Sequence, residues 1–208
     1  MKRFIVRQAD KAALFRQVPE FAKLVREPEP QSFECCGDLF YALVQSIVSQ
    51  QLAVKAADAI FSRVEALLGE ITPERILAAD MQALRECGLS GRKIEYLRGI
   101  AEARLSGAVD FSALARRSDS EIVEELVKLK GVGVWTAEML LIFALGRPDV
   151  LSRTDLGICR GIMLLTGKEI LSESEFEDFR RRCSPYGTLA SLCLWQIKDG
   201  GLTMKKKD

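Results

Sequence analysis

The sequence predicts an all-α protein, and three observations predict it. Apolar residues recur at helical spacing along most of the 208 residues. No run alternates convincingly as a strand would. Capping residues and glycines punctuate the chain at short intervals.

The elements follow in order. Thr72-Pro73-Glu74 reads as an N-cap, a proline at the first helical position, and a helix to about Ala79. Asp80 can cap a short helix that Gly88 closes, and Ser90 another from Gly91 to about Leu105. Ser118-Asp119-Ser120-Glu121 and Ser172-Glu173-Ser174-Glu175 are capping-box patterns. After Ser118, Ile122, Leu126 and Leu129 fall on one helical face, with Val123 and Val127 beside them. Trp135 to Leu145 is apolar nearly all round, which predicts a central buried helix. The tail Lys205-Lys206-Lys207-Asp208 is expected to be a frayed, solvated end.

With 48% hydrophobic residues, the chain can bury a sizeable core, as one domain or two closely packed lobes. Thirty Lys and Arg against 29 Asp and Glu leave a net charge of +1, which argues against nucleic-acid binding through a broad basic surface. It leaves room for a protein that grips a few phosphates through backbone amides. Six cysteines without a C-x-x-C pair, and no secretory segment, read as reduced thiols in a cytoplasmic protein. Neither a zinc site nor an iron–sulfur cluster is expected. The longest apolar stretch is too short to span a bilayer. There is no histidine, so acid–base chemistry falls to carboxylates, Cys, Lys or Tyr.

The most informative stretch is Leu129-Lys130-Gly131-Val132-Gly133-Val134-Trp135-Thr136-Ala137. Two glycines within three residues make a tight connection between helices. The second helix then begins with outward N–H groups and a favourable dipole, a site for a DNA phosphate. Taken alone, Gly-x-Gly is more often a plain helix C-cap. The longer stretch resembles the helix–hairpin–helix of the DNA glycosylase superfamily, and its 3-methyladenine DNA glycosylase II branch most closely. Ile47-Val48-Ser49-Gln50-Gln51 resembles the family's I-x-x-Q-Q helix and wedge loop. Gly88-Leu89-Ser90 with Lys93 and Tyr96 resembles its G-L-S-x-x-K-x-x-Y segment. Asp149 to Asp155 resembles the loop of the catalytic aspartate. The likeness runs from about Tyr41 to Trp195, most of the chain.

The resemblance implies a two-lobed helical helix–hairpin–helix glycosylase fold with the active site in the cleft between the lobes. Lobe one would span about 42–130, lobe two about 1–41 plus 135–208, and the helix–hairpin–helix about 120–145. Asp155 would be the catalytic residue. Cleavage of an N-glycosidic bond builds positive charge on the deoxyribose, and a nearby carboxylate stabilises it and can orient or deprotonate water. On residues alone, Asp155 reads equally as the N-cap of a helix from Leu156, and the two roles are compatible. Asp149, Asp110 and Glu138 are the competing carboxylates, with Asp149 read as a turn residue and Glu138 the second choice.

Family members that also cut the sugar–phosphate backbone carry a lysine where Trp135 stands, so the resemblance implies base removal without lyase activity. It places Trp135, Met139 and Trp195 around the flipped base, where an electron-poor alkylated purine can stack on tryptophan. Gln51 matches the wedge that fills the vacated stack. Gly131, Gly133, Val134, Thr136 and Lys130 would hold the DNA backbone, with Lys93 and Arg92 adding charge. A monovalent cation is implied on the backbone carbonyls of Val127, Leu129 and Gly131, and no other cofactor is required. The expected partner is double-stranded DNA containing damaged bases, bound by a monomer in the cytoplasm, at the nucleoid in a prokaryote.

Two positions depart from the branch. Gly187 stands where Ser184-Pro185-Tyr186-Gly187-Thr188 would carry arginine, and Leu156 replaces an aromatic after the aspartate. About 35 residues precede the resembling region, too few for the N-terminal β domain of some members. The resemblance thus implies hydrolytic release of damaged, alkylated purines from DNA. The alternatives are a glycosylase of the same fold acting on uracil or oxidised bases, or a non-catalytic DNA-binding helical module. A carboxylate at position 155 speaks against the last.

Overall fold

The computed structural model describes residues 2–24 and 32–198; the lysine tail at 205–208 lies outside them. In chain order come β1 (Lys2–Phe4), α1 (Gln8–Gln17), α2 (Phe21–Leu24), β2 (Phe33–Cys35), α3 (Leu39–Ser49), α4 (Val54–Leu68), α5 (Pro73–Ala78), α6 (Met81–Glu86) and α7 (Gly91–Leu105). Then follow α8 (Phe111–Leu114), α9 (Asp119–Leu126), α10 (Val134–Phe143), α11 (Leu156–Thr166), α12 (Glu173–Cys183) and α13 (Gly187–Lys198). The fold is helical, as the sequence predicts.

The caps are where the sequence puts them. Thr72 accepts from the Arg75 amide, Asp80 from Ala83 and Ser90 from Lys93. Ser118 and Ser172 each close a full capping box with Glu121 and Glu175. Each satisfies an amide that would otherwise stand without an acceptor at a helix start.

Contacts divide the chain into two compact units, residues 1–35 with 141–208, and residues 36–140. The first is built on α11, α12 and α13. Ile158 and Ile162, Phe176 and Phe179, and Leu194 and Ile197 meet Leu14 and Phe21 in its core. The second buries Leu43, Ile47, Ile94, Leu97, Ile100 and Ile122. Phe40 meets Phe111 edge-on there, with ring centroids 5.6 Å apart.

Three details differ from the sequence reading. β1 and β2 form a two-stranded antiparallel sheet with Lys2 opposite Cys35 and Phe4 opposite Phe33. Strands of three residues are too short to display an alternation. α10 is not buried all round. Thr136, Ala137, Leu140, Leu141 and Ile142 are buried, whereas Val134, Trp135 and Phe143 are exposed. Hydrophobicity reports what a helix can bury, not which face is left open for another use. Lastly, α9 stops at Leu126, which leaves Val127 exposed and Leu129 half-buried in the turns that lead to the hairpin.

Candidate active site

Asp155 is the N-cap of α11, and its Oδ1 accepts from the Ile158 amide at 2.8 Å. It is 8% exposed, unusual burial for an aspartate. The indole Nε1–H of Trp195, on α13, donates to the same Oδ1 at 3.2 Å. Gly157 makes this approach possible: a Cβ there would stand 3.0 Å from Asp155 Oδ1 and 3.1 Å from the Trp195 ring. One turn on, a Cβ at Gly161 would meet the backbone oxygen of Leu194 at 2.7 Å. The two glycines, four residues apart, let α11 and α13 pack backbone to backbone.

The loop before Asp155 is laced to the start of α13. Asp149 accepts from Ser184 Oγ at 2.5 Å and from the Gly187 amide at 2.9 Å. Thr188 Oγ1 donates to the Arg147 carbonyl and accepts from the Val150 amide, and Ser191 Oγ donates to the Val150 carbonyl. Asp149 is thus a structural clamp, in line with its reading as a turn residue. Gly187 belongs to the same device, because a Cβ there would lie 2.8 Å from Asp149 Oδ1 and 3.0 Å from the Val150 amide nitrogen. Asp110 is spent on capping α8, where it accepts from Ser112 and Ala113.

Trp195 continues into an aromatic row that sequence reasoning missed. Its ring stacks on Phe143 at 5.9 Å, Phe143 meets Phe33 at 5.2 Å, and Phe33 stacks on Phe4 at 5.1 Å. Phe143 stands one turn beyond Met139 and two beyond Trp135, and that spacing was a usable signal. Nothing in the sequence around Phe33 pointed to its place. In the second unit Trp135 is 43% exposed and Met139 and Glu138 are half-buried. Leu156, the other departure, is 73% exposed beside Asp155.

The hairpin has the geometry its glycines require. Gly131 holds φ +87°, and a Cβ on it would lie 2.2 Å from the Tyr96 ring. Any other residue would meet both a backbone and a steric penalty there. Gly133 accepts from the Ala137 amide and so caps α10. Lys130, Gly133 and Val134 are exposed, while the Thr136 side chain is buried. By helix geometry the first amides of α10 have no acceptor within the helix. The Leu129 carbonyl accepts from the Val132 amide and the Gly131 carbonyl from Gln50 Nε2. Among the described residues, no group of three or more His, Cys, Asp or Glu could hold a metal ion.

Gln51 follows the end of α3 as an exposed residue with φ +59°, a region few non-glycine residues visit. Lys93 does not stand free for phosphates, as its charge had suggested. Its Nζ donates to the carbonyls of Val48 at 2.6 Å and Gln50 at 2.8 Å, and burial lowers its pKa. All six cysteines are free thiols, and no helix among the described residues is long and apolar enough to cross a membrane.

The chain as a whole is similar to known proteins. The chain is 41% identical over 185 residues to DNA-3-methyladenine glycosylase 1 of Schizosaccharomyces pombe, covering 84% of this chain and 78% of that one. It is 31% identical to the DNA-3-methyladenine glycosylase of Saccharomyces cerevisiae, over 86% of this chain and 72% of the relative. The crystal structure of a DNA-3-methyladenine glycosidase from Bacillus halodurans superposes with a TM-score of 0.80 at 35% identity, over 95% of this chain and 93% of that one. The Schizosaccharomyces pombe 3-methyladenine DNA glycosylase in complex with abasic DNA gives 0.78 at 34% identity, over 96% and 100%. Residues 44–185 match the family described as HhH-GPD superfamily base excision DNA repair protein. With its helix–hairpin–helix, its capped aspartate and these relatives, the chain belongs to the HhH-GPD superfamily of base excision DNA repair proteins.

Proposed function

We propose that this protein is a DNA glycosylase that hydrolyses the N-glycosidic bond of alkylated purines in duplex DNA, and that Asp155 is its catalytic carboxylate. The observation that carries the proposal is the buried Asp155 carboxylate, fixed by the Ile158 amide and the Trp195 indole, in a chain whose relatives are named for 3-methyladenine. As the bond from C1′ to the base nitrogen breaks, electron density leaves with the base and the sugar becomes cationic. The carboxylate stabilises that cation, and a water molecule adds to C1′ and passes its proton to the Asp155 carboxylate, which releases it to solvent. Free base and an abasic site result.

Trp135 offers no amine for a Schiff base, so the reading is base release without strand cleavage. The amides of Gly133, Val134 and Thr136, with Gly131 and Lys130 beside them, are assigned to the DNA backbone. Trp135, Met139 and Trp195 are assigned to the flipped base, and Gln51 to the gap it leaves. A carbonyl oxygen has two lone pairs, so Leu129 and Gly131 each keep one after the bonds described, and the all-oxygen set with Val127 suits a hard monovalent cation. Such an ion would add positive charge near a phosphate. Damaged double-stranded DNA is the partner, engaged by a monomer.

The test is single-turnover release of 7-methylguanine from a defined duplex by wild type and Asp155→Asn. The variant keeps the cap but loses the charge, and release should fall at least ~100-fold while binding to the duplex persists. Borohydride should trap no covalent adduct with wild type. Near-wild-type turnover by Asp155→Asn would remove the catalytic assignment, and a trapped adduct the hydrolytic one.

A further inference from the structure

The end of α3 is tied down by three hydrogen bonds from two side chains. Helix C-termini leave carbonyls without partners. Here Lys93 Nζ, from α7, takes the carbonyls of Val48 and Gln50 together. Gln50 in turn sends its side-chain Nε2 to the carbonyl of Gly131, in the hairpin, at 2.9 Å. Between these anchors the chain turns through Gln51 at φ +59° and emerges with Gln51 and Leu52 exposed. Gly131 is itself fixed by the Tyr96 ring beneath it, and Tyr96 lies three residues after Lys93 on the same helix. One helix, α7, thus sets both the loop after α3 and the hairpin turn.

We propose that Lys93 and Gln50 are positioning residues that lock the Gln51 loop to the phosphate-binding hairpin, so that seating a phosphate on the hairpin and inserting Gln51 into the duplex occur in one fixed register. The inference rests on the reading of the protein as a base-flipping glycosylase. An ammonium is suited to the task, because a compact cation with three donors can gather two carbonyls at a helix C-terminus, where its charge also opposes the dipole. A lysine that touched phosphate would stay solvated, and this one is half-buried with its amine turned inward. Gln51 needs such a frame. An exposed residue in a left-handed conformation relaxes unless its neighbours over-determine it.

The experiment compares wild type, Lys93→Met, Gln50→Leu and the double variant. The substrates are 7-methylguanine paired with cytosine in a duplex and the same base in a single-stranded oligonucleotide. Flipping is read by 2-aminopurine placed beside the lesion. Lys93→Met should lower single-turnover release from the duplex about 10-fold, and release from the single strand much less, because only the duplex requires the base to be unstacked. The 2-aminopurine rise should shrink in parallel, and Lys93→Arg should restore part of both. If the two tethers act as a unit, the double variant should be little worse than the worse single one. Equal loss on both substrates would make Lys93 a residue of general stability, and unchanged release from the duplex would likewise overturn the proposal. Should Lys93→Met fail to fold, Gln50→Leu alone carries the comparison, since it removes only the bond to Gly131. Absence of 7-methylguanine release by wild type would instead overturn the functional reading.

Discussion

The Trp195 indole and the Ile158 amide both donate to Oδ1 of Asp155, the first at 3.2 Å and the second at 2.8 Å. The cap bond fixes the carboxylate along α11, and the indole fixes it from α13. The face of the same indole stacks on Phe143. Trp195 therefore has two separable functions: its edge orients a carboxylate and its face extends an aromatic row.

Trp195→Phe separates them. The ring and its stacking remain, but the donor to Oδ1 is lost. Base release should fall about 10-fold, the scale of one hydrogen bond to a charged group, with thermal stability close to wild type. Trp195→Ala should be slower again. Equal rates for Trp195→Phe and wild type would show that the indole N–H has no part in holding Asp155.

Gly161→Ala should destabilise the protein, because its Cβ would meet the Leu194 carbonyl oxygen at 2.7 Å and Leu194 Cβ at 2.9 Å. Neither atom belongs to the flexible end of a side chain, so the helices must separate, at a cost of about 1–3 kcal/mol. Gly99, also helical, has no atom within 4 Å of a Cβ built on it, and Gly99→Ala should stabilise by roughly 0.5–1 kcal/mol. Thermal melts of the two variants should move in opposite directions.

Grip on DNA should depend only weakly on salt. The net charge is +1, Lys93 is engaged with carbonyls, and, Lys130 apart, the hairpin groups proposed to hold DNA are uncharged amides. The logarithm of affinity should fall with log salt at a slope on the order of −3 to −5. A slope near −10 would reveal a broad basic surface.

Cys36 is the exposed thiol of the six, and the other five are buried. Burial pushes the Cys183 thiol up to about 12, so it carries almost no thiolate at neutral pH. Iodoacetamide on the folded protein should label Cys36 and leave Cys183 unmodified until denaturant is added. Peptide mass spectrometry reads this directly, and early labelling of Cys183 would show that the unit around α12 and α13 opens readily.

The caps were legible because a side-chain cap is a local event, decided within four residues. Ser118 with Glu121 and Ser172 with Glu175 are of this kind. Asp155 was legible as a cap for the same reason, and as a catalytic candidate only through the resemblance. What remained hidden was settled by distant partners. Lys93 was legible as a motif lysine, but its bonds are visible only once Val48 and Gln50, more than 40 positions earlier, are placed beside it. The Phe33 ring finds Phe143 across 110 residues, from a strand too short to show a period. Gly157 and Gly161 were not singled out, because a helical glycine gives no sign in sequence of whether a neighbouring backbone presses on it.

Gln51 sets protein engineering against function at a single exposed position. Its left-handed backbone carries a cost on the order of 1–3 kcal/mol for a residue with a side chain, and glycine would relieve it. A search guided only by melting temperature would be drawn to this site. If Gln51 fills the gap left by a flipped base, as proposed, that search would discard the side chain that acts there. Variants of this protein selected for heat resistance should therefore be sequenced at position 51 before they are trusted to repair anything.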